Sequence, residues 1–159
     1  MLDVNCELVA CDCCQGCSGI VIDDPLYDLV VSASPDGGQA LQRSGSPQFA
    51  AFEWLQSNAN DGISSEQQLL QRYALATLYY STGGQEWTTS PAWLSSEDEC
   101  DWYTTGQSDG VCDSNGNYVK IVLEGNNLVG SLPLEILLLS DNLGEFSLVL
   151  LTAGFGVMT

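Results

Sequence analysis

Residues 118–136 read YVKIVLEGNNLVGSLPLEI, and this stretch decides how the rest of the chain is interpreted. It begins as a short strand rich in β-branched residues, in which Ile121 and Leu123 point to the same side. A glycine and two asparagines end the strand, and the leucines that follow are more widely spaced. Gly130 and Pro133 interrupt them, and neither a regular helix nor an inner strand accommodates both. The pattern predicts a strand, a sharp turn and an irregular return path.

The spacing L-x-L-x-x-N-x-L-x-G-x-L-P-x-x-I resembles one unit of the plant-type leucine-rich repeat, a family whose units run about 20–29 residues. The repeat positions are Ile121, Leu123, Asn126, Leu128, Gly130, Leu132, Pro133 and Ile136. We expect the leucines and isoleucines to fill the interior and the Asn126 amide to hydrogen-bond buried backbone groups at the turn. The concave face, which binds ligands in this family, would be formed by Lys120, Val122 and Glu124.

Two helices are predicted upstream of this stretch. The serine and proline at 46–47 suit the N-cap and the first position of a helix that ends near Asn58. Serines at 64–65 open a second helix, whose second half is apolar nearly all round and must be buried. The glycines at 83–84 end it. The two helices are expected to pack together as a cap.

Residues 85–112 have no regular periodicity but contain three tryptophans and two cysteines. The order W…W-L…C-D-W-Y…C after LQRYALATLYYSTGG is similar to the N-terminal cap of plant-type leucine-rich-repeat ectodomains, including those of diatoms. This resemblance extends over about residues 46–136. It implies a disulfide between Cys100 and Cys112, which would contribute about 3 kcal/mol, and a cap that covers the apolar end of the first coil.

The expected fold is therefore α+β: a leucine-rich-repeat solenoid fragment with a two-helix, disulfide-stapled N-terminal cap. Three divisions are predicted. Residues 1–45 form a cysteine-rich segment and a partly disordered linker, and residues 46–117 form the cap. Residues 118–159 form a first repeat followed by a degenerate or truncated second one.

The beginning of the chain is cysteine-rich and then rich in turn-forming residues. Five cysteines precede residue 18: Cys6, Cys11, Cys13, Cys14 and Cys17. We interpret them as further disulfides of undetermined pairing, and a thiolate metal site is the alternative. Between residues 20 and 48, Pro25, Pro35 and paired glycines predict a mostly extended linker.

The charge balance excludes several classes of function. Three basic residues face 21 acidic ones, giving a net charge of −18, so nucleic acid and anionic membranes are not expected partners. The chain has no histidine, the usual general base and commonest metal ligand. We predict no enzymatic activity, cofactor or metal. The acidic cluster at 97–101 is interpreted as a solvated loop, and DSNGN at 113–117 as a hairpin turn rather than a calcium loop.

The resemblance implies a non-catalytic recognition or scaffold module, the N-terminal part of an extracellular or cell-surface leucine-rich-repeat protein. Its partner would be a protein, peptide or glycan bound by the concave face of a longer solenoid. The cysteines suggest an oxidising compartment, yet the start of the chain has no signal peptide, so an export or membrane segment is expected upstream. A cytosolic, reduced chain is the alternative. The alternatives are a small thiol-based metal-binding protein and a secreted hydrolase.

Overall fold

The computed structural model describes residues 24–58, 65–90, 92–102, 110–123, 125–139, 141 and 144–147. In these ranges the chain is mostly helical. The α-helices are α1 (Pro25–Ala33), α2 (Pro47–Asn58) and α3 (Glu66–Ser81), and 3-10 helices span Gly84–Glu86, Glu99–Asp101 and Leu134–Leu139. Two strands of three residues each are β1 (Lys120–Val122) and β2 (Glu145–Ser147).

This architecture shows that the predicted α+β leucine-rich-repeat solenoid is wrong. A solenoid stacks one structural repeat upon the next, whereas the described chain is mostly helical, with one parallel pair of three-residue strands. That pair places Lys120 opposite Glu145 and Val122 opposite Ser147. The prediction failed because the repeat pattern specifies a strand and a turn but not what they pack against. Here the residues after the turn are hydrogen-bonded to the end of α3.

Residues 24–48 also differ from the extended linker that the prolines predict. Asp24 caps α1 by accepting hydrogen bonds from two backbone N–H groups of its first turn, and Pro25 is the first helical residue. Proline is tolerated there because an N–H at that position would have no partner within the helix. Val30 is completely buried and Leu41 nearly so, which places this segment in the core. The linker prediction interpreted Pro25 as a break between strand-like patches, although it begins a helix.

The predicted ends of α2 and α3 are confirmed. The Ser46 hydroxyl accepts a 3.0 Å hydrogen bond from the backbone N–H of Phe49, and the Ser65 hydroxyl accepts one of 3.2 Å from the N–H of Gln68. Each satisfies one of the N–H groups that a helix leaves unpaired at its start. Beyond α3, Gly83 adopts the left-handed conformation with φ of 68°, as expected for a glycine that terminates a helix.

The core consists of two apolar clusters that share α3. One side of α3 packs with β1, the segment that follows it and three tryptophans, while the other packs with α1 and α2. Trp54 and Leu138 contact both clusters. The fully buried side chains include Leu55, Tyr73, Leu75, Leu78, Trp102, Tyr118, Ile121 and Leu128. α3 is therefore the central element, and its residue types fit this position because it is apolar nearly all round.

The C-terminal end of α3 is closed by the stretch that contains the repeat motif. The last carbonyl groups of a helix have no partner within it. Here the backbone N–H of Val129 donates to the Thr82 carbonyl at 3.0 Å, and that of Ser131 donates to the Ser81 carbonyl at 3.3 Å. Gly130 lies between them with φ of 127°, and a Cβ at this position would overlap the Ser81 carbonyl oxygen. Only glycine allows this approach.

Leu132 does not fill the interior, contrary to the prediction from the repeat pattern, since it is 39 % exposed. Pro133 is buried instead. Leu128 is completely buried, and Ile136 packs against the core as a partly buried residue. Because the backbone of 129–131 follows the end of α3, the next inward-facing position falls on the proline. The motif thus contributes to the core with a different set of residues.

We expect Gly130→Ala to destabilise the protein by about 3 kcal/mol or more. The added methyl group introduces strain of about 1–3 kcal/mol at an unfavourable φ and separates the 129–131 backbone from α3, which weakens hydrogen bonds worth about 1 kcal/mol each. Urea unfolding followed by circular dichroism measures the change.

Gly45→Ala is the matched control, because Gly45 has φ of 84° but a Cβ there would meet nothing within 4 Å. It should cost only the conformational term, about 1–2 kcal/mol. Equal losses for the two variants would show that the close approach to Ser81 is unimportant.

Candidate functional site

A buried ion pair joins α3 to the acidic loop at residues 97–101. The Arg72 Nε lies 2.7 Å from the Glu99 Oε2, and the two side chains are 5 % and 1 % exposed. A guanidinium nitrogen of Arg72 also donates to the Glu97 carbonyl at 2.6 Å. The prediction that this acidic cluster is a solvated loop is therefore wrong for Glu99. Arg72 was the available signal, because it directly precedes the apolar second half of α3 and a buried charge requires a partner.

Gln71, the neighbour of this arginine, connects the ion pair to the start of β1. Its amide nitrogen donates to the Glu99 Oε1 at 2.7 Å and to the Gly116 carbonyl at 2.9 Å. Its amide oxygen accepts a 2.7 Å hydrogen bond from the backbone N–H of Tyr118. One side chain therefore pairs with polar groups of the acidic loop and of the hairpin that leads into β1. This network positions the whole 110–123 segment against α3.

The Cys100–Cys112 disulfide lies beside this network. Cys100 directly follows Glu99, and its sulfur is bonded to Cys112 across a sequence separation of 12. Cys112 forms an antiparallel bridge with Tyr118, so the predicted hairpin turn at 113–117 is confirmed. The disulfide that the sequence resemblance implies is thus present, and it holds the acidic loop against the hairpin.

Asp113 closes the turn of this hairpin with its own carboxylate. Its Oδ1 accepts hydrogen bonds from the backbone N–H groups of Asn115 and Asn117 at 2.8 and 3.0 Å. Its Oδ2 accepts one of 3.0 Å from the Asn117 amide. Hydrogen bonds from Asn117 contribute most to lowering the pKa of Asp113 below its usual value. The carboxylate oxygens are therefore occupied by the turn itself.

Four tryptophans surround the ion pair and the end of α3. The Arg72 guanidinium lies 5.6 Å from the centre of the Trp102 ring, a cation–π distance. Trp102 contacts Trp54 edge-to-face at 5.6 Å, and Trp93 contacts Trp87 in the same way at 4.9 Å. Three indole N–H groups donate to backbone carbonyls, those of Leu94, Thr82 and Glu97. The rings are structural, since they fill the core with their polar edges paired.

Asn126 ties the turn after β1 to the loop that follows α3. Its side-chain oxygen accepts a 2.7 Å hydrogen bond from the Thr89 N–H, and its amide nitrogen donates to the Thr89 carbonyl at 3.1 Å. Asn126 is 5 % exposed, so it pairs backbone groups in a buried site. The neighbouring Asn127 donates to the Glu86 carbonyl at 3.1 Å. The turn is thereby fixed at both asparagines.

The residues predicted to form a concave binding face are not all described. Lys120 and Val122 lie in β1 as partly exposed residues on either side of the buried Ile121. Glu124 lies outside the described residues, as do the five early cysteines and the metal site considered for them. The two described positions thus share one side of a three-residue strand.

An exposed apolar surface, separate from the predicted concave face, was not predicted from the sequence. Four large apolar residues within 129–137 are substantially exposed: Val129 at 50 %, Leu132 at 39 %, Leu134 at 62 % and Leu137 at 56 %. We call them the leucine surface. Leu134 and Leu137 are three residues apart in the Leu134–Leu139 3-10 helix, so their side chains lie on the same face. The signal in the sequence was the number of leucines around Pro133, because a single inward-facing row of side chains cannot bury all of them.

Glu99 and Tyr73 are two buried polar side chains of the described region. Glu99 is engaged by Arg72 and Gln71, and burial raises the pKa of Tyr73 further above its usual value, so its hydroxyl stays protonated. In the described ranges, no group of three or more His, Cys, Asp or Glu side chains could hold a metal ion. Within that same part of the chain, no helix has the length and apolar character needed to cross a membrane.

We expect Glu99→Leu and Arg72→Met each to destabilise the protein by about 3–5 kcal/mol, because each leaves one buried charge without its partner. The double variant Arg72→Met/Glu99→Leu removes both charges and should recover much of that loss. Urea unfolding of the four proteins gives the coupling energy. Losses that simply add in the double variant would contradict the interpretation of these residues as a coupled pair.

Removing the disulfide with Cys100→Ser/Cys112→Ser should lower the free energy of unfolding by about 3 kcal/mol, because the unfolded chain loses a closed loop. Chemical unfolding of the oxidised protein and the variant measures this difference. As a control, a reductant should destabilise the unsubstituted protein but leave the variant unchanged. A further large loss in the reduced variant would assign part of the effect to other cysteines.

Comparison with protein-family models, with curated proteins and with solved structures finds no match to this chain. The resemblance to leucine-rich-repeat proteins therefore stays a prediction based on the motifs alone. The Cys100–Cys112 disulfide is the feature implied by it that the structure contains.

Proposed function

We propose that this chain is a non-catalytic binding module that recognises another polypeptide through the leucine surface. The observation that supports this most strongly is the exposure of four large apolar side chains within nine consecutive residues, 129–137. Leaving an apolar side chain in water forgoes about 1.5–3 kcal/mol compared with burying it. Clustered exposed apolar residues of this kind mark interaction sites in soluble proteins.

Hydrogen bonds and buried side chains fix the inner side of the segment that presents the leucine surface. Glu135 is 2 % exposed and accepts a 3.1 Å hydrogen bond from the Gln48 amide of α2. Leu139 is buried at the end of the same 3-10 helix, and the Val129 and Ser131 backbones are bonded to the end of α3. A surface that is already ordered loses little conformational entropy on binding. This favours recognition over a purely structural role.

A polypeptide suits this surface better than a glycan does. The exposed side chains are aliphatic, and they offer no hydrogen-bonding groups to sugar hydroxyls. Trp87, Trp93 and Trp102 are buried, so their faces are not available for stacking on a sugar ring. Apolar side chains of a partner would replace water over the leucines, as at the centres of protein interfaces.

The proposed setting is an oxidising compartment outside the cytosol. The Cys100–Cys112 disulfide supports it, because such bonds persist mainly in secreted and surface proteins. The proposal of a non-catalytic role is supported by the lack of histidine in the sequence and by the mutual engagement of the buried Arg72 and Glu99. The module would serve as an adaptor or recognition element.

The test is site-specific photo-crosslinking in extracts of the source organism. A photoreactive residue at Leu134 should give a discrete adduct with one polypeptide, identified by mass spectrometry, and Leu137→Gln should abolish it. Leu137→Gln should change stability by less than about 0.5 kcal/mol, since the position is exposed.

The control places the same photoreactive residue at Ser44, an exposed position in the turn between α1 and α2. Adducts of equal yield at both positions, or an adduct at Leu134 that persists in the Leu137→Gln variant, would overturn the proposal.

A further inference from the structure

We infer that the segment bound by the leucine surface is a basic amphipathic helix, with an apolar stripe against the leucines and lysines or arginines beside it. This inference rests on the proposed function, because it names the chemistry of the partner at the same surface. It follows from the net charge of the chain and from the exposed acidic residues next to the segment that carries the surface.

The field around the protein is strongly negative, and the sequence offers little to offset it. The net charge is −18, with three basic residues in 159. One of these, Arg72, is buried against Glu99 and contributes nothing outside. Arg43 and Lys120 are the two that remain. The protein as a whole therefore attracts cationic segments and repels anionic ones.

Exposed acidic residues adjoin the segment that carries the leucine surface. Glu86 is exposed, and its backbone carbonyl accepts a hydrogen bond from the Asn127 amide, two residues before Val129. Asp141 is exposed four residues after Leu137. An apolar segment with acidic neighbours matches a helix that has leucines along one face and basic residues on its flanks.

The charges also discriminate against other occupants. A second copy of this chain carries the same net charge of −18, and like charges opposed at short range cost several kcal/mol. Anionic lipid surfaces are repelled for the same reason. A neutral apolar helix would be bound only through the burial of its leucines. A basic helix would also associate faster and form ion pairs with the protein's carboxylates, and this contribution weakens as the salt concentration rises.

The test uses three synthetic helical peptides that share one leucine stripe and carry lysine, glutamine or glutamate at all remaining polar positions. Fluorescence anisotropy measures their affinity for the full chain at low and high salt. The lysine peptide should bind at least about tenfold more tightly than the glutamine peptide at low salt, a difference of about 1.4 kcal/mol. High salt should reduce this advantage, and the glutamate peptide should bind most weakly.

Two pairs of substitutions locate the effect. Leu134→Gln/Leu137→Gln should weaken binding of the lysine and glutamine peptides alike. Glu86→Gln/Asp141→Asn should reduce the advantage of the lysine peptide alone. The matched control Asp28→Asn/Glu66→Gln removes the same charge from exposed positions in the first turns of α1 and α3 and should have a smaller effect. Glu66 begins the helix whose other end contacts the leucine surface, about 22 Å away at 1.5 Å per residue.

The outcomes separate this inference from the proposed function. Equal binding of the lysine and glutamine peptides, lost in the double leucine variant, overturns the basic partner and leaves the proposed function supported. If the lysine peptide binds the double leucine variant as tightly as the unsubstituted chain, both the basic partner and the proposed function are overturned. No binding of the lysine peptide overturns the inference, as does a dimer of the full chain that dissociates when Leu134 and Leu137 are replaced, since the occupant is then a second copy.

Discussion

The buried pair of Arg72 and Glu99 is the interaction on which the rest of the structure depends. Two charges removed from water are stable only when each finds the other and the remaining hydrogen-bonding groups are satisfied. Gln71 and the Glu97 carbonyl complete this requirement, and Gln71 extends it to the backbone of Tyr118. The acidic loop, the disulfide and the start of β1 are therefore all located relative to α3 by one polar network inside an apolar core.

α3 imposes the second constraint, because its last carbonyl groups must be paired. The residues after β1 satisfy them with their own backbone, and this is possible because Gly130 has no side chain where the Ser81 carbonyl lies. Asn126 then fixes the preceding turn to the Thr89 backbone. A motif that suggests a repeating coil serves here to close a helix. Its glycine and asparagine still satisfy backbone geometry and hydrogen bonding.

The leucine surface results from the same arrangement. Once the 129–131 backbone is bonded to α3 and Glu135 is held by Gln48, Leu134 and Leu137 face outward from an ordered support. The proposed binding role connects this geometry with the charge of the chain: the apolar residues would supply the buried contact, and the negative charge of the chain would favour a basic partner. The Gln48–Glu135 hydrogen bond and the backbone bonds to α3 hold the segment in place, while affinity would come from the exposed apolar side chains.

The sequence by itself determined the features that depend on near neighbours. Serine caps, the glycine after α3 and the hairpin at 113–117 follow from local hydrogen bonding and backbone preferences, and the motif resemblance implied the Cys100–Cys112 disulfide. Tertiary structure decided the burial of Glu99, the burial of Val30 against α2 and α3, and the exposure of Leu132. Each depends on a partner distant in sequence, and the solenoid prediction failed for the same reason. A pattern of residue types fixes which groups need partners, whereas only the packed chain decides which partners they receive.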